Sequence, residues 1–208
     1  MSEIREIGIE KECFLMQGKK IMEPQRYGFP FDEFEFLVEL RSLPSDRAFP
    51  VITTLAQEEL QNSLRAGKFN MILDDTPNRN VDNRWVKAHW DKYNLHRFDN
   101  QDLTQNIYAS SEVSHHQGVI PCGERSRLTA GIHVHFSSRD SKTGDVIELP
   151  VKEIVGAMDD AFRDDIEVSL RNLGEWEPKI HGFEYRSLPS NMNIKKVVQT
   201  AFKILRSV

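Results

Sequence analysis

An alternation of apolar and ionisable side chains recurs in four segments and constrains the fold more than any other feature of this sequence. The clearest segment is residues 130–138, where three apolar side chains alternate with His133 and His135. Successive side chains of a β-strand point to opposite faces of its sheet, so a period of two predicts a strand. The same period predicts three further strands, over residues 4–16, 34–42 and 183–188.

In each of these four segments the ionisable residues are two positions apart, so they point to the same face of the predicted strand. They are Glu10 and Glu12, Glu39 and Arg41, His133 and His135, and Glu184 and Arg186. If the four strands pair in one sheet, these residues share one face, and the apolar residues pack against helices. Apolar side chains at helical spacing predict those helices, over residues 53–67, 151–173 and 193–206. We therefore expect a single α+β domain spanning residues 1–208.

Such a face has a specific chemistry. Crowded carboxylates raise one another's pKa values, and a divalent cation removes that cost. Mg²⁺ and Mn²⁺ prefer oxygen ligands, and an imidazole can join the ligands of Mn²⁺. Two ions beside two arginines would suit a phosphate-rich ligand. The alternative is a solvated sheet face, which also alternates, and each pair alone fits that interpretation. The joint pattern favours a site, because an ordinary exposed face would also contain Thr, Lys and Gln.

Composition excludes several classes of protein. Apolar residues make up 39% and charged residues 28% of the chain, which is typical of a folded globular protein, and the net charge of -5 argues against direct nucleic-acid binding. Cys13 and Cys122 have no ligand-pair spacing, so we expect reduced thiols and a cytoplasmic location. No apolar run approaches the length of a membrane span. The glycine-rich motifs of P-loop and Rossmann proteins are not found in the sequence.

One internal repeat is evident. Residues 39–46 read ELRSLPSD and residues 184–191 read EYRSLPSN. Both place Glu and Arg two residues apart on one face of a predicted strand, before Ser-Leu-Pro-Ser. The repeat is consistent with an internal duplication, and equally with two strands that meet the same requirement.

Four motifs together resemble those of the glutamine synthetase-like superfamily of carboxylate–amine ligases, which includes glutamate–cysteine ligases. The sequence is most similar in size and motif order to the phage-type COOH-NH2 ligase type 2 amidoligases. The motifs are GIEKECF at 8–14, Asp32 placed seven residues before Glu39, AGIHVHFS at 130–137 and FEYRSLPSN at 183–191. No single motif is specific, but the four occur in the expected order. Residues 74–128 carry little that matches.

The resemblance implies a curved antiparallel sheet that forms an open funnel, with helices packed on its outer face. It also implies two metal sites, one held by Glu12, Asp32 and Glu39 and the other by Glu10, His133 and Glu184. Arg186 would contact the transferring phosphate of ATP, with Lys179 and Arg171 as further nucleotide contacts. Arg41 and His135 would face the substrate carboxylate.

The implied activity is an ATP-dependent amide-bond ligation that needs Mg²⁺ or Mn²⁺ and proceeds through an acyl phosphate. The expected partners are small-molecule or peptide carboxylates and amines. Superfamily sites are sometimes completed by neighbouring subunits, so the resemblance is compatible with a homo-oligomer. A phage-encoded enzyme would act in the host cytoplasm. Two alternatives remain open: a carboxylate or guanidino kinase on the same type of sheet, and an inactive relative that binds a nucleotide or a protein partner.

Overall fold

A computed structural model describes residues 3–31, 36–85, 105–108, 119–122, 125–169 and 171–208 of the chain, the fourth of these for the backbone alone. The strands in these ranges are β1 (Glu3–Gln17), β2 (Lys20–Ile21), β3 (Leu37–Arg41), β4 (Ile72–Asp74), β5 (Asn78–Asp82), β6 (Gln105–Asn106), β7 (Val119–Cys122), β8 (Arg125–Thr129), β9 (Gly131–Asp140), β10 (Glu175–Lys179) and β11 (Gly182–Pro189). The longer helices are α1 (Ala48–Lys68), α2 (Val151–Val168) and α3 (Ile194–Ser207).

The main sheet is antiparallel in every described pairing. Its strand order is β2-β1-β9-β11-β10-β6, and β3 and β4 also pair with β1. The chain thus combines helices with an antiparallel sheet, as its alternation and helical spacing predict. The four predicted strands correspond to β1, β3, β9 and β11, so the segments that carry the ionisable residues are neighbours in one sheet.

One face of this sheet packs against the helices, and we call it the helix face. Its core contains Ile7 and Ile9 of β1 and Val134 of β9, in contact with apolar residues such as Val51 of α1 and Phe162 of α2. Each fully buried apolar side chain of this kind contributes roughly 1.5–3 kcal/mol to folding. This burial fixes which residues face the helices, and thereby which residues face the other way.

Lys11 departs from the expected place for a lysine in a strand. Its parity suggests a position at a sheet edge or a snorkelling side chain, but the structure buries it among the residues of the helix face. Its Nζ lies 3.1 Å from Glu59 Oε1 and 3.3 Å from Asp75 Oδ2. The buried ammonium group is thus paired with two carboxylates that reach it from outside the sheet.

The opposite face carries the ionisable residues of β1, β3, β9 and β11, and we call it the polar face. A second sheet, of strand order β5-β8-β7, belongs to the same side. Phe14 and Met16 of β1 and Leu37 of β3 pack in an apolar cluster with Leu128 of β8. Beyond Glu12, β1 therefore contributes apolar residues to this side of the sheet, and the ionisable group is confined to the middle of the sheet.

Two helix boundaries differ from the predicted ones. The first helix begins at Ala48 rather than at residue 53, because Pro50 lies in its first turn, where no backbone donor is needed. The second ends at Val168 rather than at residue 173. Gly174, which follows the predicted end of this helix at residue 173, has φ +80° and lies just before β10, a strand for which no prediction was made. Among the described residues, none of the helices has the length and apolar character needed to span a bilayer.

Candidate functional site

The strand register brings the ionisable residues of the polar face into adjoining rows. Glu10 of β1 pairs with Arg41 of β3 on one side and with His133 of β9 on the other. In the next row, His135 pairs with Glu184 of β11. On the other side, Glu12 pairs with Glu39. Residues more than 170 positions apart in the chain thus become near neighbours through backbone pairing alone.

His133 lies at the centre of the carboxylates. It is buried, and its Nδ1 is 2.7 Å from Glu184 Oε1 and 4.0 Å from Glu10 Oε2. Its Nε2 is 3.9 Å from Glu12 Oε1. Burial opposes the charged imidazolium, but Glu12 and Glu184 outweigh it and raise the pKa of His133. Burial likewise opposes ionisation of Glu184, yet His133 and Arg186 hold the pKa of that carboxyl well below its usual range.

The residues best arranged to share a cation are Glu10, His135 and Glu184. One ligand atom from each lies within 4.8 Å of the others. His135 Nε2 is 3.2 Å from Glu10 Oε1, and it has no aligned hydrogen bond among the described residues. Two carboxylate oxygens and an imidazole nitrogen are a donor set that suits Mn²⁺ and also accepts Mg²⁺. The residues present therefore fit a divalent cation.

This arrangement exchanges the two histidines relative to the ligand set that the resemblance implies. There, His133 joins Glu10 and Glu184 on a metal, and His135 faces the substrate. In the structure His133 donates to Glu184, whereas His135 supplies the nitrogen that meets both carboxylates. Both histidines lie on the polar face, as their parity predicts.

A second carboxylate pair, Glu12 and Glu39, lies on the other side of Glu10. Both side chains are buried. Glu12 Oε2 accepts a hydrogen bond of 2.5 Å from the backbone N–H of Gly131, and Glu39 accepts one from Arg41. Burial and then the nearby Glu10 carboxylate raise the pKa of Glu39. Asp32, the third ligand implied for this pair, lies outside the described residues.

The predicted phosphate contacts gather around Glu184. Lys179 Nζ lies 2.8 Å from Glu184 Oε2, and Arg186 Nε lies 3.8 Å from Glu184 Oε1. Arg171 is placed differently: it donates a 2.6 Å hydrogen bond to the backbone carbonyl of Arg186, and burial lowers its pKa. Its guanidinium also lies against Gly131, where a Cβ atom would come within 2.7 Å of it. Arg171 thus braces β9 and β11 from the polar side.

A β-bulge sets the position of Arg186. Between Tyr185 and Leu188 the register of β11 against β9 shifts by one residue, so two residues of β11 oppose His133 alone. Bulges of this kind redirect a side chain and are common beside active sites. On the helix face, the hydroxyl of Tyr185 donates a 2.7 Å hydrogen bond to Asp159 Oδ1 of α2. This hydrogen bond ties β11 to α2 at the residue that lies between Glu184 and Arg186.

Arg41 has the most exposed side chain of the group, at 66% relative exposure. Its Nε lies 3.2 Å from Glu10 Oε1 and also contacts Glu39. This position leaves much of the guanidinium accessible to a ligand. It lines a cleft of about 400 Å³ together with Glu10, His135, Gly8, Pro44 and His181. The cleft is lined by Glu10 and His135, two of the three residues whose atoms could hold a cation.

Sequence reasoning missed two residues of this site, Glu177 and His181. Glu177 pairs across β10 and β11 with Glu184. His181, in the turn between those strands, has its ring centroid 5.5 Å from that of His135. A signal was present in EPKIHGFE, where Glu177 and Lys179 are two apart, but Pro178 obscured the strand.

Comparisons of the chain with protein-family models, with curated proteins and with solved structures gave no match. The chemistry of the site must therefore be inferred from its own residues. They supply five carboxylates, three imidazoles and the cations of Arg41, Lys179 and Arg186 on one side of the sheet, which is a set able to hold divalent ions and a polyanion together.

Proposed function

We propose that this protein is an ATP-dependent carboxylate–amine ligase that uses Mg²⁺ or Mn²⁺ and has the sheet architecture of the glutamine synthetase-like superfamily. The observation that carries the proposal is the meeting of Glu10, His135 and Glu184 within 4.8 Å, beside Lys179 and Arg186. A cluster of this kind has little structural benefit, because even a compensated group of buried charges rarely repays the cost of removing those charges from water. The motif order that resembles the phage-type amidoligases supports the same activity, and so does the antiparallel sheet.

In the proposed reaction, Glu10, His135 and Glu184 would hold one divalent ion, and Glu12 and Glu39 would contribute to a second. When bound, such ions neutralise the charge of the ATP phosphates and of the transferring phosphoryl group. Arg186 and Lys179 orient the γ-phosphate, and Arg41 holds the acid substrate in the adjoining cleft. The substrate carboxylate attacks the γ-phosphorus and forms an acyl phosphate with release of ADP. An amine then attacks the acyl carbon, and phosphate leaves as the amide forms.

The direct test is a screen for ADP release that depends on an added amine, with amino acids and polyamines as acceptors and Mg²⁺ or Mn²⁺ as the ion. Mass spectrometry of the products then shows whether an amide or only a phosphorylated acid is made, which separates a ligase from a kinase. ADP release that is independent of the amine and accompanied by a stable acyl phosphate would replace the ligase assignment with a kinase one.

Glu184→Gln is the sharpest variant for the same test. It keeps the size of the side chain but removes the negative charge, and we expect a loss of rate of roughly 10³-fold or more. Glu153→Gln is the matched control, because Glu153 is exposed in the first turn of α2, on the helix side of the sheet. An unchanged rate in the Glu184 variant would remove this residue from the metal site.

A further inference from the structure

Glu177 makes contacts that set it apart from the other acidic residues of the polar face. Its Oε1 lies 2.7 Å from Lys179 Nζ, and its Oε2 accepts a hydrogen bond from Arg186. These are the two cations that the proposed function assigns to the ATP phosphates. One carboxylate thus bridges the two proposed phosphate contacts.

Glu177 also stands directly opposite Glu184 in the β10–β11 pairing. Two like charges at opposed positions of a sheet repel each other. Lys179 offsets this repulsion because it reaches both carboxylates, at 2.7 Å from Glu177 and 2.8 Å from Glu184. Arg186 bridges the same two residues from the other side. The four side chains form a closed ring of alternating charge.

Within this ring the two carboxylates have different tasks. Glu184 points at the cation-binding cluster with Glu10 and His135. Among the described residues, Glu177 forms its ion pairs with the two ring cations, Lys179 and Arg186. A divalent ion on Glu184 would draw that carboxylate away from Lys179 and Arg186, whereas the contacts of both cations with Glu177 would persist.

We propose that the Glu177 carboxylate occupies the position of a nucleotide phosphate between Lys179 and Arg186. In that position Glu177 holds both side chains in place and neutralises their charge until a divalent ion binds to Glu184. The inference rests on the proposed function, and it adds an order to binding: the metal makes the cations available to the polyanion. Metal and polyphosphate then bind cooperatively, and the coupling is reciprocal. Glu177 acts through Lys179 and Arg186, so it is a positioning residue.

Isothermal titration calorimetry with ATP and with pyrophosphate, each in EDTA and in saturating Mg²⁺, tests this order. In the unaltered protein we expect both probes to bind weakly in EDTA and at least tenfold more tightly with Mg²⁺. Glu177→Gln removes the competing charge. The Glu177→Gln protein should bind both probes about tenfold more tightly in EDTA than the unaltered protein does. The increase in affinity that Mg²⁺ produces should be smaller by a similar factor.

Glu177→Asp keeps the charge and should retain a gain from Mg²⁺ within about threefold of the unaltered value. Glu153→Gln is the remote control, and circular dichroism shows that each variant is folded. If the unaltered protein gains affinity with Mg²⁺ but Glu177→Gln leaves the EDTA affinity unchanged or weaker, Glu177 is only a structural counter-ion, and the ligase proposal stands. If the unaltered protein binds Mg-ATP no better than a denatured sample, both proposals fail together.

Discussion

Gly182 should tolerate no side chain, and the cost of adding one is predictable from the structure. It is the first residue of β11 and has φ +150°, a conformation that is essentially restricted to glycine. An added Cβ would overlap the carbonyl oxygen of Phe136 and would lie 3.1 Å from Phe136 C and 3.2 Å from Ser137 Cα. All three atoms belong to the backbone of β9, so no rotamer change relieves the contact. We expect Gly182→Ala to cost about 1–3 kcal/mol in backbone strain and about 1–3 kcal/mol in overpacking.

Two other glycines provide matched controls for that substitution. Gly18 and Gly144 have φ +59° and +76°, and no atom lies within 4 Å of a Cβ built on either. Alanine at these positions should cost only the backbone term, about 1–2 kcal/mol. Guanidinium chloride unfolding, followed by circular dichroism, gives the three free energies of unfolding. If Gly182→Ala costs no more than Gly144→Ala, the close approach of β11 to β9 is wrong, and with it the placement of His181 beside the cleft.

The remaining predictions concern the site and the core. Burial raises the pKa of the Cys13 thiol to about 12, so iodoacetamide at pH 8 should alkylate Cys13 only after the protein unfolds. Peptide mass spectrometry measures the modification, and modified Cys13 in a native sample would contradict its burial. Mn²⁺ at 100 times its dissociation constant should stabilise the protein by about 2.7 kcal/mol, seen as a higher melting temperature in a thermal scan. Glu10→Gln should abolish most of that gain, and an undiminished gain would place the ion elsewhere. Lys11→Met should change the free energy of unfolding by less than about 1.5 kcal/mol, because hydrophobic replacement of a buried ion pair is often neutral. The carboxylates of Glu59 and Asp75 keep contact with solvent, so they are not left buried without a partner. A loss above about 3 kcal/mol in chemical denaturation would show that the fold needs the buried ammonium group.

The polar face was predictable because it depends on parity, which is a local property of each strand. Burial of Ile132, Val134 and Phe136 on the helix face leaves His133 and His135 no other direction. The same reasoning places Glu10, Glu12, Glu39 and Glu184 correctly on the polar face. Once the four strands pair in one sheet, these side chains lie next to one another because they share one face of neighbouring strands. Their two-residue spacing within each strand places them in successive rows across the sheet.

The order within the rows was not predictable, because it depends on registers between distant strands. The bulge in β11 arises from one extra residue between Tyr185 and Leu188, and no local pattern marks it. His133 and His135 have equal parity and both lie near Glu10 and Glu184, so only the three-dimensional arrangement identifies His135 as the imidazole grouped with the two carboxylates. Glu177 was missed because Pro178 breaks a strand pattern, although β10 tolerates it there.

The two Ser-Leu-Pro-Ser segments make similar hydrogen bonds, each to a strand beside it. The first copy follows β3 and leads into α1, whereas the second copy forms the end of β11 and leads into α3. In each copy the first serine accepts a hydrogen bond from the backbone of the neighbouring strand: Ser42 Oγ from Ile9 N–H at 2.8 Å, and Ser187 Oγ from Glu175 N–H at 3.2 Å.

The pairing around the central strands β1 and β9 is also close to two-fold symmetric. The dyad passes through the pair Glu10–His133, and it exchanges Glu12 with His135 and Glu39 with Glu184, since Glu39 pairs with Glu12 and Glu184 pairs with His135. The two halves differ in one chemical respect: one offers only carboxylates, and the other offers an imidazole. Oxygen donors alone favour Mg²⁺, whereas a nitrogen donor favours Mn²⁺ and later transition metals. Under the proposed function, the repeated strand-to-helix unit would supply two related half-sites of different metal preference, an asymmetry that a two-ion phosphoryl-transfer centre can use.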